Sequence, residues 1–105
     1  EGLSVDKDER FRIAENLGEN KVLIMKNHGL LTVGETAGES FMNMYYAVRM
    51  CEVATQAQGS GLKLETSTKD LWEKSQKQYD SFLPGPNEWP ALIRRCDTVD
   101  PSYKE

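Results

Sequence analysis

The stretch from Thr36 to Gly59 constrains this chain more than any other. Thr36 and Glu39 stand in the T-x-x-E spacing of a helix capping box and Gly59 supplies a stop, so a helix is predicted over about Ala37–Gln58. Phe41, Met44, Tyr45, Val48 and Cys51 share one face at helical spacing. Met42, Tyr46, Met50, Val53, Ala54 and Ala57 carry apolar character well round the cylinder. Only Glu39, Asn43, Arg49, Glu52 and Gln56 mark a narrow polar stripe. A helix that apolar must be buried on more than one side, yet 105 residues supply only a modest core. The covering surface is therefore expected from a missing N-terminal part of the domain or from another subunit, with a homo-oligomer as the expected state.

The strand candidates point the same way. Lys21–Met25 reads KVLIM and Leu30–Val33 reads LLTV before Gly34, with Lys26-Asn27-His28-Gly29 between them. Two short apolar runs around an Asn/Gly tetrapeptide predict a strand, a sharp reversal and a second strand. Neither run alternates, which implies strands covered on both faces. Two strands alone make a poor sheet, so part of the sheet is expected outside this chain.

Three further helices complete the reading. The first spans Asp6–Leu17, with Asp6, Asp8 and Glu9 at its favourable end, Phe11, Ala14 and Leu17 on one face, and Gly18 as its stop. After the break Gly59-Ser60-Gly61, Ser67–Asp70 offers a capping box for a helix to about Phe82 with Leu71, Trp72, Tyr79 and Phe82 as its apolar members. Pro84-Gly85-Pro86 ends it. Asn87 then caps a short helix Glu88–Cys96 that tolerates Pro90 in its first turn, and the tail Asp97–Glu105 is expected to be extended. The fold class is α/β, helix-rich with a short pair of strands, in one domain without repeats.

Charge and composition exclude several classes. With 13 basic against 17 acidic residues and a net charge of −4, the chain lacks the basic excess of a nucleic-acid surface. No apolar run approaches a bilayer span, so no membrane partner is expected. EGLSVDKDER is acidic and mixed where a leader needs a basic start and an apolar core. Cys51 and Cys96 show no metal spacing and read as reduced thiols of a cytoplasmic protein. Gly34–Gly38 is G-E-T-A-G, which lacks the Lys-Ser/Thr ending of a phosphate loop.

His28 is the one histidine, which excludes any site this chain would build from two imidazoles. It lies on the turn between two apolar strands, where a rigid support can aim an imidazole into a cleft as a ligand or base. On spacing alone, a hydrogen-bonded or exposed turn histidine is the simpler reading. Arg49 and Glu52, three apart, read as a salt bridge. Tyr45, Tyr46, Tyr79 and Tyr103 read as packing aromatics, and Met42, Met44 and Met50 as core. Trp72 and Trp89, flanking the proline turn, are expected to be packing anchors.

The segment KVLIMKNHGLLTVGETAGESF resembles the class II aldolase/adducin family: an aliphatic strand, Asn-His-Gly, a second aliphatic strand, a glycine, then a helix opening with Thr and Glu. The helix ending in Leu17-Gly18, the Cys51-Glu52 helix and the ending EWPALIRRCDTVDPSY resemble bacterial members too. The resemblance implies a fragment of a three-layer α/β/α class II aldolase-like domain, with residues 1–105 as its C-terminal portion. It also implies a zinc ion held by three histidines, of which an upstream H-x-H pair supplies two and His28 matches the third. The pair and an upstream catalytic glutamate are absent from this sequence, which leaves the catalytic residues unassigned. Asn27 would stand beside that ligand, either in its hydrogen-bonding shell or as an ordinary turn residue. In a complete member, zinc would stabilise the enediolate formed when a sugar phosphate or similar small hydroxylated carbonyl is cleaved. The rival implication is an adducin-like module that oligomerises or binds proteins without catalysis.

Overall fold

The computed structural model describes residues 7–104. Its elements, in order, are α1 (Lys7–Leu17), β1 (Val22–Met25), β2 (Gly29–Thr32), α2 (Ala37–Gly59), α3 (Lys69–Asp80), α4 (Glu88–Val99) and a 3-10 turn, Pro101–Lys104. Asp6, where the first helix is predicted to start, and the five residues before it lie outside the described residues.

Every predicted element forms, but α1 turns a different face inward. Phe11 is 74% exposed and Ala14 is exposed too, while Glu9, Ile13 and Leu17 are half-buried. Residues three and six apart drift around the cylinder, whereas Glu9, Ile13 and Leu17, four apart, stay nearly in line. Gly18 ends the helix as expected, at φ 53° with its N–H on the Ala14 carbonyl.

The two strands pair antiparallel, Val22 opposite Thr32 through Met25 opposite Gly29. They are not covered on both faces within this chain: Leu23 and Met25 are half-buried, but Ile24 is 70% exposed. Helix α2 lies along β2 and reaches β1, and α1 touches β1.

The start of α2 is the best-knit part of the chain. The Thr36 hydroxyl accepts the Glu39 N–H at 3.1 Å, as the capping box requires. The return bond is displaced by one residue, because the Glu39 carboxylate takes the N–H of Glu35 at 2.7 Å rather than that of Thr36. The Thr32 hydroxyl donates to the Ser40 carbonyl, the Ser40 hydroxyl donates back to the Thr32 carbonyl, and the Asn43 amide donates to the Val33 carbonyl. Glu39 and Asn43 therefore do not belong to a solvated stripe. They satisfy backbone groups that the end of the hairpin would otherwise leave unpaired. Arg49 and Glu52 do stand in solvent and pair at 2.9 Å.

The loop before α4 approaches α2 at backbone distance. A Cβ on Gly85, which sits at φ 111°, would lie 2.7 Å from the Glu39 nitrogen and 2.7 Å from the Gly38 carbonyl carbon. Trp89 packs over Gly38 and meets the Phe41 ring edge-on at 6.1 Å. It is the anchor the sequence suggested, whereas Trp72 on α3 is 56% exposed.

Two helix starts depart from expectation. Thr68, not Ser67, precedes α3, and its side chain makes no capping bond. Asn87 makes none either; Glu88 takes the N–H of Gly85 and the Gly85 carbonyl accepts from Trp89. The tail is helical, not extended: α4 continues to Val99 and the 3-10 turn follows. Asp100 accepts the Ser102 N–H, and Tyr103 and Lys104 both reach Asp97 at 2.6 Å. These local bonds supply the reason to turn.

The core is small. Met42 and Ala47 are buried, as is Pro84 in the loop before α4, beside the buried carboxylate of Glu39. The radius of gyration is 17.1 Å, against about 13 Å for a compact chain of this length. Phe41, Tyr45, Val48, Met50 and Val53 are all exposed along α2.

Candidate functional site

The hairpin tip fixes His28 through its neighbours. The His28 N–H donates to the Met25 carbonyl at 3.2 Å, closing a four-residue turn. Asn27, third in that turn, sits at φ 55°, the left-handed conformation that a type II turn demands there and that Asn tolerates better than most residues. Gly29 follows at φ 137°. Asn27 thus has an ordinary turn role, and the tip is held by backbone alone.

The imidazole of His28 is exposed and has no hydrogen-bond partner among the described residues. It borders a cleft of about 380 Å³ between α1 and the edge of β1. Glu9, Arg12, Ile13 and Asn16 line one side, and β1 with the tip lines the other. The cleft contains none of the four tyrosines and neither cysteine.

Among the described residues no three His, Cys, Asp or Glu side chains come together to hold a metal ion. A zinc centre needs about three protein ligands, so the donors present do not complete one. His28 is available as a single donor.

The other residues considered resolve into packing. Tyr45, Tyr46 and Tyr79 form an edge-on ladder, with ring centroids 5.7 Å and 6.1 Å apart. Burial, then the neighbouring Tyr46, pushes the Tyr79 hydroxyl above its ordinary pKa. Arg49 lies 5.7 Å from the Tyr45 ring centroid.

Sequence reasoning missed Glu39. Its carboxylate, 5% exposed as a residue, joins the loop before α2 to the first strand through Lys21 at 3.1 Å. The N–H of Glu35 and the ammonium of Lys21 hold its pKa below the ordinary carboxylate value. The capping-box spacing was the available signal, but it places Glu39 at a helix start without showing that the start is buried.

Comparison with known proteins then decides the family. The profile described as "Class II Aldolase and Adducin N-terminal domain" matches residues 4–55, which include the hairpin, His28 and most of α2. A Pseudomonas aeruginosa protein, provisionally named as an aldolase class 2 protein, is 31% identical across 100% of this chain and 43% of its own length. The chain belongs to the class II aldolase/adducin family. An adducin-related protein of Schizosaccharomyces pombe is 30% identical over 98% of this chain and 35% of its own. The crystal structure of an aldolase II superfamily protein from Pseudomonas syringae superposes on 100% of this chain with a TM-score of 0.85 at 29% identity, covering 43% of that structure. This class II aldolase/adducin chain thus spans less than half the length of the relatives it matches, and its helix-rich fold with one antiparallel strand pair is a fragment of their α/β fold. No helix among its described residues is long and apolar enough to cross a membrane.

Proposed function

We propose that these residues form the His28-bearing portion of a zinc-dependent class II aldolase-like lyase, which makes or breaks a C–C bond in a small hydroxylated carbonyl or sugar-phosphate substrate. One observation carries the reading: His28 stands on a backbone-locked tip with its imidazole unpartnered among the described residues and facing a cleft. A neutral imidazole so placed loses no existing hydrogen bond when it ligates a metal. The remaining ligands and the acid–base groups would come from outside these residues. The two free thiols, Cys51 and Cys96, support a reducing, cytoplasmic setting.

The test uses the full-length protein that contains this chain. Wild type is expected to purify with, or take up, one zinc per subunit and to release an aldehyde or ketone from a hydroxylated carbonyl substrate. His28→Ala is expected to lose zinc affinity by at least about ten-fold, with an unchanged far-ultraviolet spectrum. Undiminished zinc affinity in the folded variant overturns the role given to His28. A protein that binds no zinc overturns the lyase.

A second reading is favoured by the exposed face of Phe41, Tyr45 and Val48 and the adjoining Met50 and Val53. In it, the chain belongs to a non-catalytic, adducin-like module that oligomerises through α2. That reading expects a metal-free homo-oligomer, indifferent to His28→Ala, which light scattering detects as a multiple of the subunit mass.

A further inference from the structure

The polar ties between the hairpin and α2 all lie at one end of the hairpin. On the β2 side, the Thr32 and Ser40 hydroxyls each donate to the other's carbonyl, and the Asn43 amide donates to the Val33 carbonyl. On the β1 side, the tie among the described residues is one ion pair, from the Lys21 ammonium to the Glu39 carboxylate at 3.1 Å. Lys21 stands immediately before β1, and its carbonyl takes the Val33 N–H as the last rung of the ladder. His28 stands at the opposite end, and no described residue of α2 hydrogen-bonds or ion-pairs with residues 26–29. Packing of β2 on α2 is not directional, so the polar contacts at the base fix the angle between them. The hairpin is thus a lever, tied at its base and carrying the imidazole at its tip.

Glu39 is the fixed end of the ion pair. It is 5% exposed, its carboxylate also accepts the Glu35 N–H at 2.7 Å, and its own N–H is held by the Thr36 hydroxyl. Lys21 is the half-exposed end. From Lys21 to the turn the chain runs the four residues of β1, about 13 Å. A swing of about 5° at the base therefore carries the tip by about 1 Å, against a tolerance of about 0.2 Å for a metal–ligand bond. We propose that Lys21 and Glu39 are positioning residues for His28: their ion pair sets the angle of the hairpin on α2, and through it where the imidazole stands. The inference rests on the ligand role that the lyase reading gives to His28.

The test is Lys21→Met in the full-length protein, which keeps the apolar stem and leaves Glu39 its bonds to Glu35 and Thr36. Residual dipolar couplings of the β1, β2 and α2 amides, measured without metal, give the angle of the hairpin on the helix. The expected change is at least about 5°, accompanied by zinc affinity weaker by at least about ten-fold. Lys21→Arg, which keeps a cation beside Glu39, is expected to restore both. Arg49→Met removes an exposed pair elsewhere on α2 and is expected to move neither. An unchanged angle in folded Lys21→Met overturns the brace, as does failure of Lys21→Arg to restore a changed one. A changed angle with undiminished zinc affinity overturns its role in placing His28. A wild type that binds no zinc overturns the lyase, and the angle measured without metal then decides the brace by itself.

Discussion

Gly85→Ala is a sharp probe of the junction between α2 and the loop before α4. At φ 111° an L-side chain is strained, at roughly 1–3 kcal/mol. The new methyl would also sit 2.7 Å from the Glu39 nitrogen and 2.7 Å from the Gly38 carbonyl carbon. Both are backbone atoms of the first turn of α2, so neither can swing aside, and forced overpacking costs a further 1–3 kcal/mol or so. The sum, about 2–6 kcal/mol, is a large share of a typical folding free energy of about 5–15 kcal/mol. Two control glycines separate the causes. Gly29→Ala meets strain at φ 137° but open space, so it should cost only the conformational part, roughly 1–3 kcal/mol. Gly59, the last residue of α2, with no neighbour within 4 Å and no positive φ, should gain at most about 0.5–1 kcal/mol as Ala. Urea unfolding of the three variants in the full-length protein gives the differences directly. The reasoning fails if Gly85→Ala costs no more than Gly29→Ala, for then the loop and the helix do not meet at backbone distance.

Other perturbations address neighbouring contacts. Thr36→Ala removes the cap on the Glu39 N–H and should cost about 1 kcal/mol in urea unfolding, with Thr36→Ser restoring most of it. Met42→Ala empties one of the buried apolar positions and should cost about 2–5 kcal/mol, read as a lower urea midpoint. Because the Glu35 N–H and Lys21 hold the Glu39 pKa down in the folded state, its stabilisation is complete above the unfolded carboxylate pKa and fades as pH falls through the lower folded value. A pH series of unfolding curves should therefore be shallower on the acid side for Glu39→Gln than for wild type; identical slopes would remove Glu39 from the linkage.

How much of this was legible in the sequence depended on whether the deciding contact was local. The T-x-x-E spacing placed the start of α2 correctly because a capping bond spans three residues. The hairpin was legible because Asn27 and Gly29 supply the positive φ angles the tip needs. The inward face of α1 was not, because the spacing pointed to Phe11, Ala14 and Leu17, and only the contact with β1 turns Ile13 inward instead. Nor was the burial of Glu39, which requires Lys21, eighteen positions earlier, to arrive beside it. The tail, expected to be extended, is helical because Asp97 draws Tyr103 and Lys104 back onto α4, a set of contacts that spacing does not announce. His28 was legible as the residue to watch from its place between the strands, whereas among the described residues no further donors gather with it to hold a metal ion.

The geometry of α2 explains why its sequence is apolar nearly all round. Twenty-three helical residues extend about 35 Å, while each four-residue strand extends only about 13 Å. The hairpin can therefore cover little more than the first half of the helix, and that is where Gly38, Glu39, Met42 and Ala47 are buried. Beyond Ala47 the β2 residue Leu30 still borders a cleft with Val48, Cys51, Thr55 and Gln56, but Val48, Met50 and Val53 stand 40–71% exposed. An exposed helix end needs no apolar residues, and keeping them there costs solubility. In the oligomerising reading Val48, Met50 and Val53 are the face buried between subunits, and a full-length protein that scatters light as a monomer would remove that role.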